Sequence, residues 1–191
     1  MRRRMLFAIA AAGLLGGCAT GTDAVNQSAG GEKGFVPGQS SRQQWPIGKR
    51  VGAPAISGET LTGGSLDLSS MRGKVVVLNF WGQWCAPCRA EAGDLERVYQ
   101  ATAAKGVQFV GVNIRDTKDK AAAFQRTNGV TYPSLYDPYG RVAVRFRQTP
   151  PTTIPATIVI DRAGRVAALF RDAVLESELR PVVLAVAGEK P

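Results

Sequence analysis

Between residues 75 and 105 the hydrophobic pattern changes period once, and two cysteines sit at the changeover. Val75, Val76, Val77, Leu78 and Phe80 form an apolar run interrupted only by Asn79, as expected of a central strand covered on both faces. From Ala86 the pattern turns helical and should reach about Lys105, with Leu95, Val98, Tyr99 and Thr102 at i, i+3, i+4 and i+7. Pro87 suits the first turn of that helix, and Gly106 is placed as its C-cap. Extended backwards, the buried face takes in Ala92, Glu91 and Cys88, so an acidic residue lies on the apolar side. Cys85-Ala86-Pro87-Cys88 is thus a C-x-x-C on a strand-to-helix turn, and in an α/β pattern that spacing reads as a redox pair.

The flanking chain repeats the strand and helix alternation. A hairpin is expected over residues 51–68, a second buried strand over 107–114 and a helix over 117–128 that stops on Gly129. A short strand at 132–136, a helical segment at 139–146 and a strand at 157–160 follow. Asp161-Arg162-Ala163-Gly164 reads as a hairpin turn into a strand at 166–170. The last helix carries Leu179, Val182, Val183 and Val186, with Ser177 as its expected N-cap and Pro181 tolerated near its first turn. These elements predict one α/β domain, residues 51–191, built on a central mixed sheet with helices on both faces.

The N-terminal third has a different character. Residues 1–17 combine Arg2, Arg3 and Arg4 with a short apolar stretch and Gly16-Gly17, which makes an export signal too short to span a bilayer. Leu15-Gly16-Gly17-Cys18 resembles the lipobox of bacterial lipoproteins, in which the cysteine is lipidated; the alternative is a plain signal peptide with an incidental cysteine. Residues 18–50 are rich in Gly, Ser, Thr, Gln and Asn and read as a flexible tether, about 30 residues with an r.m.s. span of roughly 30 Å. The net charge of +9 falls to +6 without the three leader arginines, and this excess is spread along the chain. No basic stripe interleaved with aromatics points to nucleic acid.

The chain has three cysteines and no histidine. Cys-His and Ser-His catalytic pairs are therefore excluded, and the C-x-x-C lacks the second pair or the histidines that a zinc site would need, so no metal is expected. A thiolate is what attacks a disulfide. Cys85, just ahead of the helix, faces unpaired backbone N–H groups and the positive end of the helix dipole, and is the expected nucleophile. Cys88, one turn in and on the buried side, is the expected resolving cysteine.

Trp84-Cys85-Ala86-Pro87-Cys88 after a β-run is similar to the active site of the thioredoxin superfamily. Leu78-Asn79-Phe80-Trp81-Gly82 together with Glu91 resembles its TlpA/ResA branch of tethered extracytoplasmic thiol-disulfide oxidoreductases, and the similarity spans residues 51–188 in element order. The resemblance implies a thioredoxin-like fold with an N-terminal hairpin and an inserted helix-strand segment. It also implies a cis proline facing the C-x-x-C, a place that Pro155 occupies in Thr152-Thr153-Ile154-Pro155, with Ile154 offering its backbone to an extended substrate. From the residues alone, a trans bond would be expected there. Asn79 stands where cytoplasmic thioredoxins carry a buried aspartate, and Glu91 is the implied replacement, a buried carboxyl exchanging a proton with Cys88; the alternative is a glutamate favoured by the helix dipole and turned to solvent. Trp84 joins Ile154 and Pro155 as an expected substrate contact, with Trp81, Asn79 and Pro87 supporting the site.

The expected activity is reduction of protein disulfides outside the cytoplasm by a lipid-anchored monomer. It would need no cofactor beyond its own Cys85–Cys88 disulfide and would be recharged by a membrane thiol-disulfide electron carrier. Apocytochrome c is the substrate the resemblance suggests. An oxidase run of the same site, a peroxiredoxin-type peroxidase and a metal-binding chaperone are the alternatives, the last two disfavoured by the missing Pro-Thr-Cys setting and the missing histidines.

Overall fold

The computed structural model describes residues 41–190, so the expected export signal, Cys18 and most of the expected tether lie outside the described residues. The centre of the fold is β4 (Val75–Trp81), all seven of whose residues are buried. On one side it pairs in parallel with β5 (Val107–Ile114), which pairs in parallel with β6 (Ser134–Asp137). On the other side it pairs antiparallel with β7 (Ala156–Ile160), followed by β8 (Val166–Phe170) and the edge strand β1 (Arg42–Gln44). The sheet order is β1-β8-β7-β4-β5-β6, and β2 (Ser57–Glu59) with β3 (Ser65–Asp67) forms a separate hairpin. This is the mixed α/β fold that the alternation implied and the thioredoxin-like fold that the resemblance implied.

Period-2 alternation along β4 sorts the core. Val75 and Val77 pack with Leu95 and Val98 of α1 (Ala86–Thr102) and with Leu179 and Val183 of α3 (Glu176–Ala187). Val76, Leu78 and Phe80 point the other way, to Ile56, Leu66, Leu68 and Phe146. Trp81 returns to the first side, where its ring lies 5.3 Å from that of Phe124 in α2 (Lys118–Thr127). The three long helices therefore share one face of the sheet, where long helices on both faces were expected. The cover on the second face is the β2–β3 hairpin and short 3-10 turns at Leu68–Met71 and Ala143–Arg145, where a longer helical segment over 139–146 was expected.

The folded part begins before residue 51. Arg42–Gln44 joins the sheet, Trp45 packs into the core, and the Arg50 guanidinium, 5% exposed, donates to Asp161 at 3.1 Å and to Glu189 at 2.5 and 2.6 Å. A three-residue edge strand reading Arg-Gln-Gln carries no apolar alternation. Backbone bonds to β8 hold it there, and these leave no mark in the side-chain pattern. The start of α3 also differs from expectation. Ser177 lies inside the helix and Leu175 is the N-cap; Glu178 accepts from the Leu175 N–H at 3.1 Å and Asp94 from the Glu176 N–H at 3.0 Å. Carboxylates from within and from α1 replace the hydroxyl cap, and Pro181 consequently falls in the second turn.

One rung of the ladder crosses the whole sheet beneath the end of β4. Arg42, Phe170, Thr157, Asn79, Gly111 and Ser134 stand opposite one another across all six strands. Gly111 is required on that rung by close approach: a Cβ there would run into the Ser134 hydroxyl and lie 2.7 Å from Trp81 Nε1. Trp81 Nε1 donates to Ser134 Oγ at 3.2 Å, so this contact cannot open without losing a buried bond. Gly111→Ala should accordingly cost about 1–3 kcal/mol, read as a lower urea midpoint at unchanged slope.

Candidate active site

β4 ends at Trp81, a tight turn follows with the Cys85 N–H donating to Gly82 O at 3.1 Å, and α1 starts at Ala86. Cys85 is the N-cap residue, in extended conformation, and its Sγ accepts the Cys88 N–H at 3.3 Å. Cys85 and Cys88 are joined as a disulfide with Cα atoms 5.3 Å apart. Pro87 occupies the first turn, where its missing N–H removes no helical bond. The dipole and free N–H groups that favour a thiolate are therefore directed at Cys85.

In the disulfide form Cys85 is 5% exposed and Cys88 3%. Both belong to a cluster with Leu61, Trp81 and Ala121, against which Ile154, Tyr136 and Phe124 pack. Leu61 comes from the chain between β2 and β3, so the hairpin that covers the second face of the sheet also reaches the redox pair. The Ile154–Pro155 peptide bond is cis. Ile154 is half-buried against the same cluster, which brings the three expected elements of the site, the C-x-x-C, Trp81 and the proline loop, together.

Glu91, one helical turn beyond Cys88, is 2% exposed. Its Oε1 accepts from Asn79 Nδ2 at 2.8 Å and its Oε2 from the Val174 N–H at 2.9 Å. Burial pushes its pKa up to about 7, against which the Val174 and Asn79 bonds favour the ionised form only in part, and nearby Asp94 raises it slightly. The solvent-facing alternative is thereby excluded. The second Asn79 N–H goes to Thr157 Oγ1 at 3.1 Å, on the rung shared with Gly111. Sequence reasoning missed Thr157 and the Val174 N–H because both lie far along the chain, and only strand register and the entry into α3 bring them under Glu91. The hydroxyl of buried Tyr132 is pushed well above its ordinary range, first by burial and then by the charges of Glu91 and Glu96, so it does not compete as a proton handler.

Residues 113–117 were also missed. Trp84, 49% exposed, donates its indole N–H to Arg115 O at 2.9 Å, and Asp116 Oδ2 accepts the Gln83 N–H at 2.7 Å. Nothing in a strand end followed by Arg-Asp-Thr marks it as a partner of a loop 31 to 33 residues earlier. Among the described residues no group of three or more His, Cys, Asp or Glu side chains could hold a metal ion, and no helix is long and apolar enough to cross a membrane.

Comparison with known proteins bears directly on this geometry. The model of the AhpC/TSA family matches residues 50–169. The thiol-disulfide oxidoreductase ResA of Bacillus subtilis is 32% identical over 125 residues, which cover 65% of this chain and 68% of ResA. Among solved structures, a DsbF homologue from Corynebacterium diphtheriae superposes with a TM-score of 0.74 at 40% identity, over 78% of this chain and 95% of that one. A secreted thiol-disulfide isomerase from Corynebacterium glutamicum does so with a TM-score of 0.76 at 37% identity, over 80% and 95%.

Proposed function

The chain belongs to the AhpC/TSA family and is a thiol-disulfide oxidoreductase related to ResA, and from that premise we propose that it works as an exported, lipid-anchored reductase of protein disulfides. The observation that carries the reading is the pairing of a helix-capping Cys85 with a buried Glu91, its pKa raised to about 7, one turn beyond Cys88. In the reduced enzyme the Cys85 thiolate attacks one sulfur of the substrate disulfide, forming a mixed disulfide and releasing the other sulfur as a thiolate. Cys88 gives its proton to Glu91 and attacks the Cys85 sulfur. This closes the Cys85–Cys88 disulfide and frees the second substrate thiolate, so two electrons have moved from enzyme to substrate. Cis Pro155 and Ile154 hold the substrate backbone beside Cys85, Trp84 lies under the incoming chain, and Trp81, Asn79 and Pro87 keep the pair in place.

Export rests on residues 1–17 and anchoring on Cys18. An anchored reductase in an oxidising compartment is recharged by two electrons from a membrane thiol-disulfide carrier, and apocytochrome c cysteines are the substrate we assign. The likeness to the secreted isomerase of C. glutamicum favours a second reading, in which the same pair reshuffles or forms disulfides in secreted proteins. Equilibration of the Cys85–Cys88 couple against glutathione buffers separates the two. A potential near that of thioredoxin, about −270 mV, is expected; one close to about −120 mV would overturn the reductase assignment.

A further inference from the structure

The loop that carries Cys85 is not held by its own bonds alone, which are the Cys85 N–H to Gly82 O at 3.1 Å and Arg89 to Gln83 O at 3.0 Å. Residues 82–84 lie against the corner between β5 and α2, and almost every bond between them converges on two residues. Asp116 Oδ2 accepts the Gln83 N–H at 2.7 Å and Asn113 Nδ2 at 3.2 Å, while Oδ1 accepts the Thr117 N–H at 2.9 Å. Tyr136, from β6, donates its hydroxyl to Asp116 O at 3.1 Å, so the corner is fixed from a third element. Arg115 has φ of +50°, a left-handed conformation that non-glycine residues rarely adopt. That conformation belongs to the residue whose carbonyl accepts the Trp84 indole N–H at 2.9 Å. Gly82 completes the fit: a Cβ there would stand 2.7 Å from Trp84 Nε1 and 3.3 Å from Ile114 O, so the indole lies directly on the loop backbone.

The result is an aromatic ring whose one polar atom is satisfied and whose orientation is fixed, yet which leaves half its surface to solvent next to the redox pair. A core tryptophan would be buried, and a surface tryptophan with no task would not need its N–H bonded to a strained carbonyl. Held rings of this kind bind well because little side-chain freedom is lost on contact. Gln83, the residue whose N–H Asp116 captures, is two positions before Cys85.

We propose that Asp116 is a positioning residue of this enzyme: by hydrogen bonding to the 82–84 loop it holds Trp84 as the fixed platform on which a polypeptide substrate rests beside Cys85. This deepens the functional reading and rests on Cys85 as the attacking residue. The carboxylate acts as a hydrogen-bond acceptor here, and its charge is not the operative feature.

The test is initial-rate reduction of insulin, with dithiothreitol recycling the full-length enzyme, over a range of insulin concentrations. Asp116→Ala should raise KM about tenfold while kcat stays within about twofold. Asp116→Asn, which keeps an acceptor for the Gln83 N–H but turns an amide N–H toward the Thr117 N–H, should recover part of the loss. Trp84→Phe, which keeps a ring but gives Arg115 O no donor, should raise KM in the same sense and remains informative if Asp116→Ala fails to fold. Combining Asp116→Ala with Trp84→Phe should give less than the product of the single effects, because both act through one contact. Equal losses in kcat and KM terms tracking melting temperature, an Asn variant no better than Ala, or full multiplicativity of the double variant would each overturn the proposal. Failure of the functional reading looks different: wild type itself would not reduce insulin, or Cys85→Ser would retain the activity.

Discussion

A Cys88→Ser enzyme should stop halfway through its reaction. With the resolving thiol gone, reduced Cys85 still attacks a substrate disulfide, but the mixed disulfide has no internal route to breakdown, so steady-state turnover should fall by at least about 10³-fold while one equivalent of substrate stays covalently attached. The local structure predicts that the first step survives. The N–H of residue 88 that reaches Cys85 Sγ at 3.3 Å belongs to the backbone, and serine keeps it along with the helix start that points its free N–H groups at Cys85. Mass spectrometry of the enzyme after exposure to a disulfide-bonded peptide should show the adduct on Cys85, and reductant should release it. Absence of an adduct, or an adduct on a Cys85→Ser chain, would reverse the roles assigned to the two cysteines. Cys85→Ser should instead abolish both adduct and turnover. In the native host the same trap would name the substrate.

The second large effect concerns Glu91 and appears in two independent measurements. Burial raises its folded pKa to about 7 from an ordinary 4.5. A folded state with the higher pKa binds the proton more tightly than the unfolded chain does, so this contribution to stability is complete below about pH 4.5 and is lost as pH rises through about 7. The difference between those pKa values corresponds to about 3 kcal/mol, so wild-type unfolding free energy should decline between pH 4.5 and 7 and then level off. Glu91→Gln should remove that slope. It should not raise stability by the full amount at high pH, because an amide can accept one of the Asn79 and Val174 N–H groups through its oxygen but meets the other with an N–H of its own. In kinetics, the resolving step should slow about 10²-fold near neutral pH and lose its inflection near pH 7. Retention of that inflection in the Gln variant would remove Glu91 from the proton path.

What could be read from the sequence tracks how local the determining interaction is. Cys85, Pro87, Cys88 and Glu91 share the first turns of one helix, and their spacing alone places Glu91 on the buried side. β4 announces itself because burial on both faces needs an unbroken apolar run. The rest of the site depends on register and on long-range hydrogen bonds, neither of which has a sequence signature. Thr157 reads as an ordinary strand residue until the antiparallel pairing of β4 with β7 sets it opposite Asn79. Val174 contributes only a backbone N–H, and Asp116 only an acceptor to a loop it never neighbours in sequence. The cis state at Pro155 came from the family resemblance and would not have come from the residues. β1 was missed and the start of α3 misplaced for a related reason: backbone pairing, and carboxylates from α3 itself and from α1, do the work that apolar alternation and a serine cap were expected to do.

The rung from Arg42 to Asn79 also decides how the molecule can be handled. Ser41, where the described residues begin, adjoins that rung at Arg42, three strands and roughly 14 Å from Asn79. The end of α3 lies at the opposite end of the sheet, where Arg162 in the turn between β7 and β8 donates to Ala187 O at 3.1 Å and to Lys105 O at 3.2 Å, just past the tail of α1. A bead, electrode or fusion partner joined directly at Ser41 would therefore sit at the end of the sheet that carries the redox pair, whereas one joined at Lys190 would sit at the opposite end.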